Sequence, residues 1–88
     1  MNEVTEIVAT EMGDILACRP LLPDEDFFLC GGDSLRAVEL ISRLVARYEP
    51  GSTEKSVLGP ALLLVIFDEA TPESIAGLIV NQLGRRAR

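Results

Sequence analysis

The sequence predicts an all-α fold, a four-helix bundle with three main helices and a short third one. Apolar residues recur at helical spacing in three long segments, and capping or helix-breaking residues bound each of them. The remaining apolar run, residues 61–67, has no second strand-like segment with which to pair, which favours a helix. Of the 88 residues, 48% are apolar and 25% are charged, a composition typical of a folded protein. This length predicts one domain over residues 1–88.

The first helix is predicted from Glu3 to about Cys18, with Asn2 as its N-cap. Gly13 lies inside it and is expected to cost about 1 kcal/mol relative to alanine. Pro20 ends the helix, because the residue before a proline is pushed out of the helical region. The apolar face consists of Val4, Ile7, Val8, Met12, Ile15 and Leu16.

A long connection is predicted over residues 19–33, and a loop of this length needs anchors in a compact domain. Phe27 and Phe28, together with Leu21 or Leu22, can supply these anchors by packing onto the helices. We therefore expect at least one of the two phenylalanines in the core.

The second helix is predicted from Ser34 to Tyr48, with Asp33 as its cap. Leu35 points away from the core, toward solvent or a partner, and Val38 borders the core stripe. The core stripe itself is Ala37, Leu40, Ile41, Leu44 and Tyr48. A basic ridge runs along another face and consists of Arg36, Arg43 and Arg47.

The second half of the chain is predicted to hold a polar loop over residues 49–60 and two helices. The short third helix is placed at residues 61–67. Thr71 caps the last helix, Pro72 fits its first turn, and Gly84 is expected to close it. The buried face of the last helix is Ile75, Leu78, Ile79 and Leu83.

Composition and charge exclude several classes of function. The net charge is −6, and residues 1–33 carry eight acids and one base, which disfavours a nucleic-acid partner. Because the chain has no histidine, it offers no Ser-His or Cys-His nucleophile and no ordinary zinc site. We therefore assign no catalytic residue and no metal ligand. The sequence also shows neither a signal peptide nor a membrane-spanning run, and we expect a cytoplasmic protein without a membrane partner.

The two cysteines lack the spacing of a metal or redox motif. Eleven residues lie between Cys18 and Cys30. A cytosolic setting argues against a disulfide between them. We expect Cys30 to act as a small buried hydrophobic residue.

The motif with most chemical content is Gly31-Gly32-Asp33-Ser34. The glycines allow a tight turn, and Asp33 caps the helix that follows. The Ser34 hydroxyl then lies at the positive end of the helix dipole, where a phosphate is favoured. With no base nearby, this serine is better suited to modification by another enzyme than to nucleophilic catalysis of its own. The alternative is a plain turn followed by a cap.

These features together resemble a known family. An amphipathic helix, a loop ending in Phe-Phe-x-x-Gly-Gly-Asp-Ser-Leu over residues 27–35, and a helix continuing Arg-Ala-Val-Glu-Leu resemble a carrier protein domain. More narrowly, they resemble the thiolation, or peptidyl carrier, domains of nonribosomal peptide synthesis, and the resemblance covers essentially the whole chain. Three departures stand out: Cys30 replaces a larger apolar residue, residues 49–60 make a longer loop, and Thr71-Pro72 inverts the usual order.

The resemblance implies that Ser34 accepts 4′-phosphopantetheine from coenzyme A, through a separate magnesium-dependent phosphopantetheinyl transferase. Gly31, Gly32 and Asp33 would be the supporting motif. The terminal thiol of the arm would hold aminoacyl or peptidyl groups as thioesters, in the service of secondary metabolite biosynthesis. The implied partners are an adenylation or other loading enzyme and condensation, tailoring or thioesterase enzymes, while the carrier itself catalyses nothing.

Partner enzymes are expected to contact Leu35, Val38 and Arg36 on a monomeric carrier, through small and transient interfaces. An acyl carrier protein of polyketide or fatty-acid synthesis is an alternative with the same chemistry. Fatty-acid carriers have an acidic second helix, so the three arginines here favour the peptidyl class. A third alternative is an unmodified helical interaction domain, and the intact Ser34 motif argues against it. The sequence does not encode the cargo.

Overall fold

The computed structural model describes residues 3–50 and 57–86 and confirms the predicted all-α fold. Its helices are α1 (Glu3–Leu16), α2 (Ser34–Tyr48), α3 (Leu58–Ile66) and α4 (Pro72–Arg86), and these ranges contain no strand. α1 packs against α2 and α4, and α3 packs against the same two helices. Among the helices of the described residues, none has the length and apolar character needed to cross a bilayer. The core includes Val8, Met12, Phe27, Leu40, Leu44, Leu58, Leu62, Ile66, Ile75 and Ile79.

α1 ends two residues earlier than predicted, at Leu16. Ala17 adopts a left-handed backbone conformation with φ of 57°, which cannot continue the helix. The N–H of Cys18 donates to the carbonyl of Gly13 at 2.8 Å, closing the end of α1 in the manner of a Schellman motif. This local closure stops the helix before Pro20 has any effect. The predicted cap, Asn2, lies outside the described residues.

Gly13 is a requirement of the fold and not the flaw that the sequence suggests. A Cβ atom at this position would overlap the carbonyl oxygen of Arg19, which crosses directly over α1. Further along, the N–H of Leu21 donates to the carbonyl of Ala9 at 3.2 Å. Glycine at position 13 therefore lets the chain leaving α1 pass close to the helix.

The long connection is anchored as expected, by one phenylalanine above all. Phe27 is fully buried, and its N–H donates to the carbonyl of Ala70 at 2.8 Å. Phe28 is half-buried and meets the Phe27 ring edge-on, with 5.7 Å between the ring centroids. Of the two leucines, Leu21 is buried and Leu22 is exposed. These contacts fasten the segment before α2 to the region before α4.

α2 has the predicted bounds, but the basic ridge along it is largely neutralised. The Arg43 guanidinium donates to the carboxylates of Asp14 at 2.6 Å, Glu11 at 3.2 Å and Glu39 at 2.7 Å. Arg47 donates to Glu11 at 3.1 Å. These hydrogen bonds, above all the one that Arg43 donates to Asp14, raise the pKa of Arg43 above its usual value. Two of the three arginines therefore join α2 to α1.

α3 begins at Leu58, three residues before the predicted start, and ends at Ile66. Val57, its N-cap residue, offers no side-chain hydrogen bond to the first turn. The carboxylate of Glu49, the residue after α2, accepts hydrogen bonds from the N–H groups of Leu58 and Val57. A side chain distant in sequence therefore helps to cap the start of α3. Of the predicted loop, residues 51–56 lie outside the described residues.

α4 begins as predicted and runs further than predicted. The Thr71 hydroxyl accepts from the N–H of Ser74 at 3.2 Å, which confirms the cap, and Pro72 occupies the first turn. The helix does not close at Gly84 but continues to Arg86. A glycine near a helix end favours a stop without enforcing one. Its predicted core residues Ile75 and Ile79 are fully buried.

Candidate functional site

The chain leading into α2 is a compact turn organised by Asp26. Its carboxylate accepts from the N–H groups of Phe28 at 2.8 Å and Leu29 at 3.2 Å. Its carbonyl accepts from Cys30 at 3.0 Å, and the carbonyl of Phe27 accepts from Gly32 at 3.0 Å. Because Phe27 is anchored in the core, this network fixes where α2 starts.

The two glycines before the helix are required for different reasons. Gly31 has φ of 114°, a conformation that residues with a side chain rarely adopt. Gly32 does not have a positive φ, but a Cβ there would lie 2.6 Å from the ring of Phe27. One glycine therefore provides the turn, and the other lets the turn approach the buried ring.

Asp33 is the N-cap of α2, as the sequence predicts. Its extended backbone, with φ of −141°, lets one carboxylate oxygen accept from the N–H of Arg36 at 2.9 Å. The other oxygen lies 2.9 Å from the Arg36 guanidinium. The backbone hydrogen bond and the nearby guanidinium hold the pKa of Asp33 below its usual value. The carboxylate next to Ser34 is therefore ionised and already engaged.

Ser34 is the first residue of α2 and is exposed. The first N–H groups of a helix lack partners within the helix, so the hydroxyl lies beside donors suited to a phosphate. The chain has no histidine that could activate the hydroxyl, and the Asp33 carboxylate beside it serves as the cap. The geometry suits a serine on which another enzyme acts.

Exposed apolar side chains flank Ser34. Leu35 is 80% exposed, as predicted for a residue that points away from the core, and Val38, predicted at the border of the core stripe, is 53% exposed one turn further along α2. Leu29, in the turn before the helix, is 89% exposed. Arg36 is also exposed but is tied to Asp33. The predicted partner residues Leu35, Val38 and Arg36 therefore share the surface around Ser34.

An open groove between α2 and α3 extends this surface. It has a volume of about 320 Å³, and the lining residues are Val38, Ile41, Ser42, Gly59, Pro60 and Leu63. Leu64 and Phe67 are exposed nearby on the α3 side, and Phe67 stacks on Phe28 with 5.7 Å between centroids. The α3 side of this surface was not predictable from the sequence, because residues 61–67 are apolar throughout and show no exposed face by periodicity.

Neither cysteine belongs to a metal or redox centre in the part of the chain that the structure describes. Both thiols are free; Cys18 is exposed and Cys30 is partly buried, less so than predicted. Desolvation raises the pKa of the Cys30 thiol, which keeps it protonated at neutral pH. The same described residues hold no cluster of metal ligands.

The residues around Ser34 fit a covalently attached phosphate group. The hydroxyl is exposed, and the glycine on the outer side of the turn, Gly31, has open space where a side chain would be. A phosphodiester at this position would face the positive end of α2. Gly31 would also leave the approach of an enzyme's active site free of side chains.

Comparison with known proteins agrees with this geometry. Residues 2–79 match the family model described as phosphopantetheine attachment site. No curated protein and no solved structure matches the chain significantly. Members of the matched family are carrier proteins, generally non-catalytic, that hold 4′-phosphopantetheine covalently on a serine. Since the match spans most of its length, the chain belongs to the phosphopantetheine attachment family and is a phosphopantetheine-bearing carrier protein.

Proposed function

We propose that the protein is a peptidyl or aminoacyl carrier protein whose attachment site is Ser34. The observation that carries the assignment of the site is the exposed hydroxyl at the capped start of α2, preceded by Gly31 and Gly32. The proposal treats residues 1–88 as one carrier domain, monomeric and cytoplasmic, without a nucleic-acid partner. Its cargo is an aminoacyl or peptidyl group.

The modification is a phosphoryl transfer onto Ser34. A bond forms between the serine oxygen and the phosphorus next to pantetheine in coenzyme A, and the pyrophosphate bond breaks. The 3′,5′-bisphosphorylated adenosine leaves, and the hydroxyl proton passes to a base of the transferase. Once attached, the group supplies a thiol that forms thioesters with the cargo.

This chain's own residues position the hydroxyl and present it. Asp33 fixes the first turn of α2, and its engagement with Arg36 keeps the carboxylate from competing for the phosphate position. Leu35 and Val38 give partner enzymes apolar contacts within one turn of Ser34. Such a small surface suits partners that bind and leave repeatedly, including the transferase and the loading, condensation, tailoring and thioesterase enzymes.

An acyl carrier protein of polyketide or fatty-acid synthesis is the second candidate, and one observation favours it. The arginines of α2 that separate the two classes by sequence are paired: Arg43 and Arg47 with α1, and Arg36 with Asp33. The charge of α2 therefore supports the peptidyl class less than the bare sequence suggests. The peptidyl assignment rests mainly on the Gly-Gly-Asp-Ser-Leu motif after Phe27 and Phe28.

Intact-protein mass after incubation with coenzyme A, magnesium and a broad-specificity phosphopantetheinyl transferase tests the attachment. We expect the wild type and Ser74→Ala to gain one phosphopantetheinyl group and Ser34→Ala to gain none. Ser74 is the matched control because it also lies in the first turn of a helix. A gain in Ser34→Ala with a native helical spectrum would contradict the site. A folded but unmodified wild type would favour the unmodified interaction domain.

Loading of the modified protein separates the two classes of carrier. The holo form is offered to amino-acid adenylating enzymes of a broad panel and, separately, to malonyl transferases. Thioester formation with amino acids only supports the peptidyl carrier. Loading with malonyl groups only would assign the protein to the acyl carriers.

A further inference from the structure

Glu49 is a buried carboxylate that links the end of α2 to the start of α3. The residue is 3% exposed, and its N–H closes α2 by donating to the carbonyl of Val45 at 2.7 Å. Both carboxylate oxygens lie 3.3 Å from the backbone nitrogen of Leu58, and one lies 3.4 Å from that of Val57. One residue therefore takes part in the end of one helix and the beginning of the next.

The hydrogen bonds from the start of α3 help to offset the cost of burying this carboxylate. Burying a carboxylate is costly unless hydrogen bonds and opposite charge compensate it. Here the two N–H donors and the positive end of α3 provide compensation. Val57 adds no side-chain cap of its own, and the Glu49 carboxylate, one residue after α2, accepts from the N–H groups of Val57 and Leu58.

The first turn of α3 is also one wall of the groove beside the attachment site. Gly59 and Pro60 follow Leu58 directly and line the groove opposite Val38 and Ile41. Val38 is one turn from Ser34 along α2. The position of α3 relative to α2 thus shapes the surface that an enzyme acting on Ser34 meets.

We propose that Glu49 is a positioning residue, which holds the first turn of α3 against α2 in the arrangement that the phosphopantetheinyl transferase recognises. The part that concerns the transferase rests on the proposed function. Glu49 touches neither Ser34 nor the transferred group, and it acts through α3. Loss of its carboxylate loosens α3 and weakens binding of the transferase without slowing the chemical step.

The test compares Glu49→Ala and Glu49→Gln with Thr71→Ala, a control that also removes a helix cap but at α4. Amide hydrogen exchange measured by NMR reports on each helix, and steady-state kinetics with the transferase give kcat and KM. In Glu49→Ala, exchange across α3 rises about tenfold more than across α1 and α4. Its KM for the carrier rises about threefold or more at unchanged kcat, the pattern of lost uniform binding.

Glu49→Gln retains an oxygen acceptor and is expected to restore most of the exchange protection and the KM. Thr71→Ala raises exchange across α3 no more than across α1, and it leaves the KM at the wild-type value. If Glu49→Ala does not fold, Glu49→Asp takes its place, because its carboxylate is shorter by one methylene and falls short of Leu58.

An unchanged KM in a variant with loosened α3 overturns the proposal, since Glu49 would then be a structural cap alone. An equal rise of KM in Thr71→Ala overturns it as well, because general loss of stability would explain both. If the wild type is not modified at all, the proposed function fails separately. Hydrogen exchange in the unmodified protein then still tests whether Glu49 holds α3 in place. Equal protection of α3 in Glu49→Ala and in the wild type would overturn that part of the proposal.

Discussion

The starts of α2 and α4 are built alike but offer different chemistry. At each start, a side chain accepts from a backbone N–H three residues later: Asp33 from Arg36, and Thr71 from Ser74. Each first turn contains a serine, and each helix is fifteen residues long, so the two dipoles are similar. By these criteria alone, either helix could bear a phosphate group.

Their surroundings separate the two serines. Ser34 is exposed and follows two glycines, whereas the Ser74 hydroxyl donates to the Glu69 carboxylate at 2.9 Å. A helix N-terminus therefore becomes a modification site only where the hydroxyl is free to react and the approach is open.

The largest difference expected between the two regions concerns Phe27, on which the start of α2 rests. Phe27→Ala removes a fully buried ring and should lower the free energy of unfolding by about 3–5 kcal/mol. Phe67→Ala removes a ring that is 58% exposed and should cost less than about 1 kcal/mol. Urea unfolding measures both. Similar losses in the two variants would show that the turn before α2 is not held from the core.

Alanine substitutions of glycines near the two helix starts should change stability in opposite directions. Gly32→Ala places a Cβ 2.6 Å from the Phe27 ring and should destabilise the protein by about 1–3 kcal/mol. Gly77→Ala, inside α4, meets nothing within 4 Å and should stabilise it by about 0.5–1 kcal/mol. Thermal unfolding followed by circular dichroism shows whether each variant is less or more stable than the wild type. A neutral Gly32→Ala would mean that the turn does not approach the ring this closely.

The cap of α4 should matter for stability and not for modification. Thr71→Ala removes the acceptor for the N–H of Ser74 and should lower stability by about 1 kcal/mol. Thr71→Ser keeps the hydroxyl and should retain most of that stability. Denaturant unfolding and the mass gain after transferase treatment are measured on the same samples. Loss of modification in Thr71→Ala would show that the start of α4 affects modification at the start of α2, and would contradict this prediction.

The smallest effect is a dependence on pH in the loop before α2. The Arg19 guanidinium, followed by the N–H of Leu22, lowers the pKa of Glu25 from its usual 4.5 to about 2. Because the folded state binds this proton more weakly, the contribution of Glu25 is complete above pH 4.5 and is lost as the pH falls toward 2. The stability difference between wild type and Glu25→Gln should therefore shrink over this range.

Unfolding midpoints of the two proteins between pH 7 and pH 2 measure this change. Arg19→Gln serves as the control, because it removes the partner and should abolish most of the pH dependence that Glu25 contributes. A difference between wild type and Glu25→Gln that stays constant down to pH 2 would contradict the lowered pKa.

Features set by local sequence were predictable, and those set by contacts between distant segments were not. The bounds of α2 and the caps Asp33 and Thr71 follow from residues adjacent in the chain. The need for Gly13 arises only when Arg19 crosses α1. The early start of α3 depends on Glu49, nine residues before Leu58.

The candidate site shows the same division. Ser34, Leu35 and their exposure were predictable, because the motif and the helical period place them. The pairing of Arg43 with three carboxylates was not, since two of them lie on α1 and reach it only in the folded bundle. Helical periodicity sorts the faces of one helix but does not identify the helix that each face meets.

Peptide mapping of the modified protein determines whether Ser34 carries the phosphopantetheine. Trypsin does not cleave between Arg19 and Pro20, so the fragment spanning residues 1–36 contains Ser34 and no other serine. We predict that the phosphopantetheinyl group is found on this fragment, while residues 37–43, with Ser42, and the fragment with Ser74 stay unmodified. The group on any other fragment, or on none in a folded protein, would contradict the account.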